Sequence, residues 1–491
     1  MTTDIFGYLY TATLTGLAVY AAHIVVLVTL YLWHRREASP PLPEITTTEL
    51  PVVTVQIPLR NERYVVQRVL RSVAALDWPR EKLEIQVLDD SDDATTSLAR
   101  QEAAQLRAQG VDIHVLHRAQ PQGYKAGALA AGLQQARGKF LALFDADFRP
   151  PPDFLQRTVP YFAAAPRLGM VQARWEHINA NYSAVTRAQA LLLDAHFTIE
   201  HIARNRSGLL MNFNGTAGVW RRQAIEDSGG WQSDTVAEDL DLSYRAQLHG
   251  WQALYLPYVT AEAELPPLVA AFKQQQYRWA KGAAQVFRKL AVPLLRAKQL
   301  SPFQKLMALL HLSGYCTQPL FLLLFLLTLP MILYNPQLPT LAAILSASLT
   351  IPPALYLLGQ WELHRDWPRR ILAYPVLMLL GVGVAWSNTL ALLDGFTHWG
   401  GAFARTPKFR LETRSGEWKH AAYRLSVDHT ILGESLIALY ALVAVWQSLN
   451  RQQGNFLPLI LIYAAGELLM IGVTLFQART VWGRRASVKM H

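Results

Sequence analysis

The chain has a single cysteine, Cys316, among its 491 residues, which excludes a disulfide framework and any zinc site built from several thiolates. Charge is also scarce: only 17% of residues are Asp, Glu, Lys or Arg, against 51% hydrophobic residues, less charge than a soluble enzyme of this size usually carries. There is no tandem repeat at a solenoid period and no low-complexity tract. The length is about three times that of a typical domain, so several structural units are expected. The net charge of +10 could suggest a nucleic-acid partner. Its placement beside apolar stretches instead points to a lipid bilayer, because cytoplasmic membrane faces collect Lys and Arg.

Residues 1–36 form the first unit. Ile5–Trp33 is nearly free of charge, long enough to cross a bilayer, and followed by His34, Arg35 and Arg36. Those basic residues follow the apolar stretch where a signal peptide would place them before it, so a retained helix with its N-terminus outside is expected. Residues 37–300 form the second unit, opened by the Pro-rich piece Pro40–Pro51 and soluble in composition. Here β-type runs alternate with helical ones: Val52–Leu59, a helix near Tyr64–Ala75, Leu83–Leu88, a helix near Thr95–Ala108, Ile113–Leu116, a helix near Lys125–Ala136, and Phe140–Phe144. That alternation predicts an α/β domain with a mostly parallel sheet, whose ligands bind beyond the carboxyl ends of the strands.

Residues 301–491 bring apolar stretches back at Leu306–Tyr334, Leu338–Leu358, Ile371–Leu393, Ile431–Val445 and Phe456–Phe476. The segment His364–Arg370 has three arginines, and Phe403–Arg424 has six Lys and Arg against two acids, so both should be cytoplasmic. A full crossing between them would put one outside. Ile371–Leu393, with the polar Trp386, Ser387, Asn388 and Asp394, is therefore expected to lie in the interface or to re-enter. Five crossings remain, counting the first helix, and the basic stretch Arg479–Lys489 then also falls inside.

Five polar motifs could carry chemistry. Asp89-Asp90-Ser91-Asp92-Asp93 ends the second strand, where a carboxylate can accept hydrogen bonds from a ribose or base; as a bland alternative, the loop caps the next helix. Asp145-Ala146-Asp147 follows the strand Phe140–Phe144, and two aspartates at alternate positions suit Mg²⁺ or Mn²⁺. Gly123-Tyr124-Lys125 opens a helix whose free N–H groups and lysine can hold an anion. Glu238-Asp239-Leu240-Asp241 begins an amphipathic stretch and either supplies a general base or simply favours a helix N-terminus. Gln275-Gln276-Tyr277-Arg278-Trp279 precedes the second apolar half; Arg278 can pair with phosphate and Trp279 can stack on a sugar ring, or both can anchor an interfacial helix.

In this order the motifs resemble those of the processive family 2 glycosyltransferases, which implies a glycosyltransferase A-type fold. Val55-Gln56-Ile57-Pro58, Val171-Gln172-Ala173-Arg174-Trp175 and Phe213-Asn214-Gly215-Thr216-Ala217-Gly218-Val219-Trp220-Arg221, with the Gln275–Trp279 motif, are similar to the cellulose-synthase-like mannan and glucomannan synthases. The resemblance covers residues 50–290 well and the remainder by layout. It implies that Asp89 and Asp90 bind the nucleotide, with Lys125 near its diphosphate. Asp145 and Asp147 would hold diphosphate and metal, and Asp239 would be the catalytic base, with Glu238 at the substrate. Gln275, Arg278 and Trp279 would place donor and acceptor. Ala237 departs from the family, which has threonine or serine there.

A further segment, Phe403-Ala404-Arg405-Thr406-Pro407-Lys408, looks like the gating loop of bacterial cellulose synthase, with Arg405 in a valine position. This implies that Phe403, Thr406 and Lys408 close over the nucleotide, somewhere within residues 403–410; a basic loop holding anionic headgroups is the alternative.

The implied activity is metal-dependent inverting transfer of hexose from UDP-glucose or GDP-mannose to a β-linked polysaccharide. It implies a multi-pass protein of the plasma membrane with a cytoplasmic catalytic domain, possessing helices through which product could be exported. The alternative is a non-processive enzyme that glycosylates a lipid, separable by product length. From another class, a transporter would place ionisable groups within its spans. His23, His311 and Glu467 are the candidates weighed within apolar stretches, and structural hydrogen bonds are expected for them.

Overall fold

The computed structural model describes residues 2–37, 39–44, 50–336, 338, 340–401, 406–412 and 430–488, with side chains described from residue 5 to residue 477. Seven strands make one sheet: β1 (Val53–Leu59), β2 (Leu83–Asp89), β3 (Ile113–His117), β4 (Phe140–Leu143), β5 (Leu168–His177), β6 (Gly218–Arg221) and β7 (Gln252–Ala263). Their order is β3-β2-β1-β4-β6-β5-β7. β1, β2, β3 and β4 are mutually parallel, β6 runs antiparallel to both β4 and β5, and β5 pairs in parallel with β7. The four strands expected from sequence all form, within a residue of their expected limits.

β1 and β2 are rich in Val, Ile and Leu and are buried on both faces, as central strands of a covered parallel sheet must be. Two apolar clusters account for this. One joins Val55, Ile57, Ile85 and Val87 to Val66, Leu70, Ala99 and Phe154. The other packs Leu88, Leu129, Leu133, Leu141, Phe213, Trp220 and Leu242 together. Each fully buried aliphatic or aromatic side chain contributes about 1.5–3 kcal/mol of burial. The consequence is a rigid sheet whose polar strand ends face a common opening.

Among the described residues, five helices are long and apolar enough to cross a membrane: Ile5–His34, Gly314–Tyr334, Thr340–Leu363, Thr430–Asn450 and Gly454–Gln477. They coincide with the five expected crossings, with one correction. Leu306–Tyr334 is not continuous, because the helix Pro302–Leu312 ends at Ser313 and a short 3₁₀ turn, Gly314–Cys316, precedes the apolar helix. The stretch expected to lie flat or re-enter is a pair of helical segments, Trp367–Gly383 and Ala385–Thr397, bent by 47°. The helix Ala385–Thr397 packs along the long helix Val269–Arg296, which continues from the sheet domain, so the two halves share a wide contact. Gly395 makes the approach possible: a Cβ there would stand 2.6 Å from the Lys281 carbonyl oxygen.

Of His23, His311 and Glu467, two have the expected structural partners. The Arg204 guanidinium lies 3.1 Å from His23 Nε2, and the Tyr244 hydroxyl lies 2.6 Å from His311 Nδ1. Glu467 is a correction: it is buried, and neither carboxylate oxygen has a hydrogen-bond partner among the described residues.

Candidate active site

One cavity of about 390 Å³ opens where the carboxyl ends of the parallel strands meet the long helix Val269–Arg296. Its lining includes Asp90, Lys125, Asp145, Asp147, Glu238, Asp239, Gln275, Arg278, Trp279, Thr406 and Lys408. Residues that lie up to about three hundred positions apart in the chain thus converge on one space.

Asp90 and Asp89 do not share a role. A strand directs successive side chains to opposite sides. Asp90 lines the cavity and accepts two hydrogen bonds from Arg118, from Nε at 2.7 Å and Nη2 at 2.6 Å. Asp89 is fully buried beneath it and accepts from Ser91 N at 3.1 Å and Thr96 Oγ1 at 2.6 Å, with His117 Nδ1 at 2.9 Å. Asp89 does not line the cavity; its side chain builds the turn that presents Asp90. Arg118, the residue that follows β3, was missed by the motif reading. The rule that polar residues at strand ends deserve attention would have found it.

Lys125 stands in the first turn of the helix Tyr124–Gln135, after Gly123 in a left-handed conformation with φ 74°. Its ammonium group donates to Asp145 Oδ1 at 2.6 Å and to the Gly215 carbonyl oxygen at 3.0 Å, and lies 3.8 Å from Glu238 Oε1. Burial lowers the lysine pKa, but the carboxylates around it outweigh burial and leave it above its ordinary value.

Glu238 and Asp239 open the helix Glu238–Leu248, where the free N–H groups favour negative charge. Asp239 Oδ1 accepts from its neighbour Leu240 N at 2.8 Å. Burial raises the Asp239 pKa above the ordinary carboxylate value, against the pull of Lys125 and Arg278. Burial, reinforced by Asp239, also pushes Glu238 up to about 7 in spite of Lys125. A buried acid of this kind is a stronger base than an exposed one. Gly215, with φ 79°, brings the backbone against this group: a Cβ there would stand 2.8 Å from Asp239 Oδ2 and 3.3 Å from Lys125 Nζ. Ala237, the departure from the family pattern, is packed by Gly282 of the long helix, where an added Cβ would stand 2.6 Å from the Ala237 Cβ.

Gln275, Arg278 and Trp279 reach the cavity together because positions i, i+3 and i+4 share a helix face. Across from them, Lys408 Nζ donates to Asp147 Oδ2 at 2.7 Å and to the Glu264 carbonyl oxygen at 2.9 Å. Phe409 N donates to Glu264 Oε1 at 2.9 Å, and Leu411 is fully buried against the neighbouring helix. Phe403 lies outside the described residues. Glu264, which follows β7 and also donates its backbone N–H to Asp147 Oδ2 at 3.1 Å, was missed because β7 was not read as a strand from sequence.

Among the described residues, seven carboxylates line the cavity, Glu62, Asp90, Asp145, Asp147, Glu238, Asp239 and Glu264, against four cationic side chains, Arg60, Lys125, Arg278 and Lys408. Among the described residues no three His, Cys, Asp or Glu side chains converge as a ready metal cage. Asp145 and Asp147 still fit a hard divalent cation whose remaining ligands come from a diphosphate, since such cations accept one or two carboxylates plus phosphate oxygens. The excess of carboxylates makes added positive charge favourable before a polyanion enters.

Comparison with known proteins agrees with this geometry. Residues 51–282 match the family model Glycosyltransferase like family 2. Glucomannan 4-beta-mannosyltransferase 1 of Oryza sativa subsp. japonica is 42% identical over 268 residues, covering 54% of this chain and 51% of that protein. Glucomannan 4-beta-mannosyltransferase 2 of Arabidopsis thaliana is 40% identical over 297 residues, covering 58% and 55%. The chain thus spans about half the length of these curated relatives. Among solved structures, the mannosyltransferase PcManGT from Pyrobaculum calidifontis, in complex with GDP-Man and Mn²⁺, superimposes with a TM-score of 0.55 at 20% identity, over 79% of this chain and 99% of that one. At that identity the likeness is one of fold. Residues 51–282 are thus similar in sequence to family 2 glycosyltransferases and to the glucomannan 4-beta-mannosyltransferases, share the fold of the solved mannosyltransferase, and are joined to helices able to span a membrane.

Proposed function

We propose that this chain is a membrane-embedded inverting glycosyltransferase that transfers mannose from GDP-mannose to the end of a growing β-linked mannan or glucomannan. The observation that carries the reading is the convergence, in one cavity, of the Asp239 carboxylate with the strand-end acids and the Gln275–Trp279 face. Similarity to glucomannan mannosyltransferases, and the GDP-Man of the structural neighbour, favour GDP-mannose over UDP-glucose.

Asp90, fixed by Arg118, accepts hydrogen bonds from the nucleoside. Lys125 and Arg278 offer positive charge to the diphosphate. Asp145 and Asp147 would hold Mn²⁺ or Mg²⁺, which would supply charge neutralisation to the leaving nucleoside diphosphate, and Lys408 holds the Asp147 carboxylate at 2.7 Å. Asp239 takes the proton of the acceptor hydroxyl as that oxygen attacks the anomeric carbon, and the bond to the diphosphate breaks on the opposite face. One displacement inverts the anomeric configuration, and the proton ends on Asp239. Trp279 offers a flat apolar face for the acceptor sugar. The basic segments flanking the spans support a cytoplasmic sheet domain in a plasma-membrane protein.

The test is incubation of inverted vesicles with labelled GDP-mannose or UDP-glucose, with Mn²⁺ or with chelator, followed by product sizing and β-mannanase digestion. Long, chelator-sensitive, mannanase-digestible product from GDP-mannose is expected. Short lipid-extractable product would favour the glycolipid reading, and glucan from UDP-glucose would replace the donor.

A further inference from the structure

The mechanism above leaves unused the wall of the cavity formed by the end of β5. Trp175 and His177 are alternate residues of that strand and so share a face, and both line the cavity. The His177 side chain is only 5% exposed, and neither ring nitrogen has a hydrogen-bond partner among the described residues. Trp175 Nε1 and Asn214 Oδ1, on the same lining, are likewise buried without partners there. Native interiors seldom leave such groups unpaired, since each costs about 1–3 kcal/mol. A donor, an imidazole and an acceptor gathered at a cavity wall are complementary to a neutral polyol.

His177 is backed by a second layer. Asp194 Oδ1 lies 3.7 Å from His177 Nε2, while Asp194 Oδ2 accepts from Gln360 Nε2 at 2.8 Å and lies 3.1 Å from His364 Nε2. Gln360 belongs to the apolar helix Ile351–Leu363, and His364 follows it. Asp194 is thereby held in place by the membrane half and faces the imidazole from behind. Burial keeps the imidazole below its ordinary pKa against the pull of Asp194, so it is neutral near pH 7, with one N–H and one lone pair to offer. That suits a hydroxyl rather than a phosphate.

The sheet order says which sugar. Asp90 and Arg118 follow β2 and β3, at one end of the sheet, whereas β5 lies next to the opposite edge, separated from them by β1, β4 and β6. We propose that His177, oriented by Asp194, hydrogen-bonds a hydroxyl of the acceptor saccharide and so reads the polymer end rather than the nucleotide sugar. This rests on the transferase reading of the same cavity and adds a recognition residue and its positioning partner.

The experiment uses the full chain in detergent and measures binding of β-1,4-linked mannohexaose and, separately, of GDP-mannose by calorimetry, for wild type, His177→Phe, His177→Gln and Asp194→Asn. The expected result is a dissociation constant for mannohexaose at least tenfold weaker in His177→Phe, an intermediate value in His177→Gln and Asp194→Asn, and GDP-mannose binding within twofold of wild type. His177→Gln, which retains hydrogen-bonding groups, serves if the phenylalanine variant misfolds. Unchanged mannohexaose binding, absence of such binding in wild type, or parallel loss of GDP-mannose binding overturns the assignment. Failure of wild type to bind GDP-mannose while mannohexaose binding depends on His177 would instead sink the donor assignment and leave this one standing.

Discussion

Two pairs of adjacent acids, Asp89-Asp90 after β2 and Glu238-Asp239 at a helix start, look alike in sequence and behave oppositely in the structure. The strand end separates its pair, burying Asp89 among three polar partners and turning Asp90 to the cavity. The helix start keeps its pair together, with both side chains on the cavity and Lys125 between them and Asp145. The first pair is satisfied by the Arg118, Thr96 and His117 side chains and the Ser91 backbone N–H, whereas the second is buried with less compensation and so has raised pKa values. Local geometry, not residue type, sets the surroundings of the two pairs apart.

That contrast is broken most severely at the helix. Asp239→Asn removes the only group assigned to proton removal and should lower the transfer rate by about 10²–10⁴-fold with donor binding retained, read by radiolabel incorporation beside GDP-mannose binding. Gly215→Ala forces a Cβ to 2.8 Å from Asp239 Oδ2 at φ 79°. A displacement of the base on that scale should cost about 10²-fold in turnover, with little change in melting temperature beyond that expected for backbone strain. Asp90→Asn breaks the two-bond pair with Arg118 and should raise the GDP-mannose KM about tenfold or more, in line with the worth of charge-assisted hydrogen bonds, while kcat falls less. Asp89→Asn is the smallest in catalysis: thermal or denaturant unfolding should show a loss of about 1–3 kcal/mol, and the donor KM should move less than in Asp90→Asn.

The sheet's first half was legible in sequence because its strands and helices have the clean periods of a covered α/β layer. Asp145, Asp147 and Lys125 were legible because each sits directly after a strand or at a helix start. β5, β6 and β7 were not identified, since β6 has only four residues and β7 contains Pro257 and the register irregularity opposite Ala173 and Arg174. Glu264 and His177 were missed for that reason. The different surroundings of Asp89 and Asp90 were not legible because adjacent acids at a strand end cannot be told apart without the pleat. Five apolar crossings were legible from hydrophobic length, but the break at Gly314 was hidden within a continuous apolar run.

The central claim is that Asp239, made basic by burial, removes the acceptor proton. Its carboxylate is active when deprotonated, so turnover should fall as pH drops through a value above the ordinary carboxylate range. The most direct measurement is the pH dependence of kcat with saturating GDP-mannose for wild type, Glu238→Gln and Asp239→Asn. Because burial and the Asp239 charge already push Glu238 up to about 7, Glu238→Gln should leave the acid limb nearly in place, and the residual turnover of Asp239→Asn should lack that limb. An acid limb that survives in Asp239→Asn and vanishes in Glu238→Gln would assign the base to Glu238 and contradict the account.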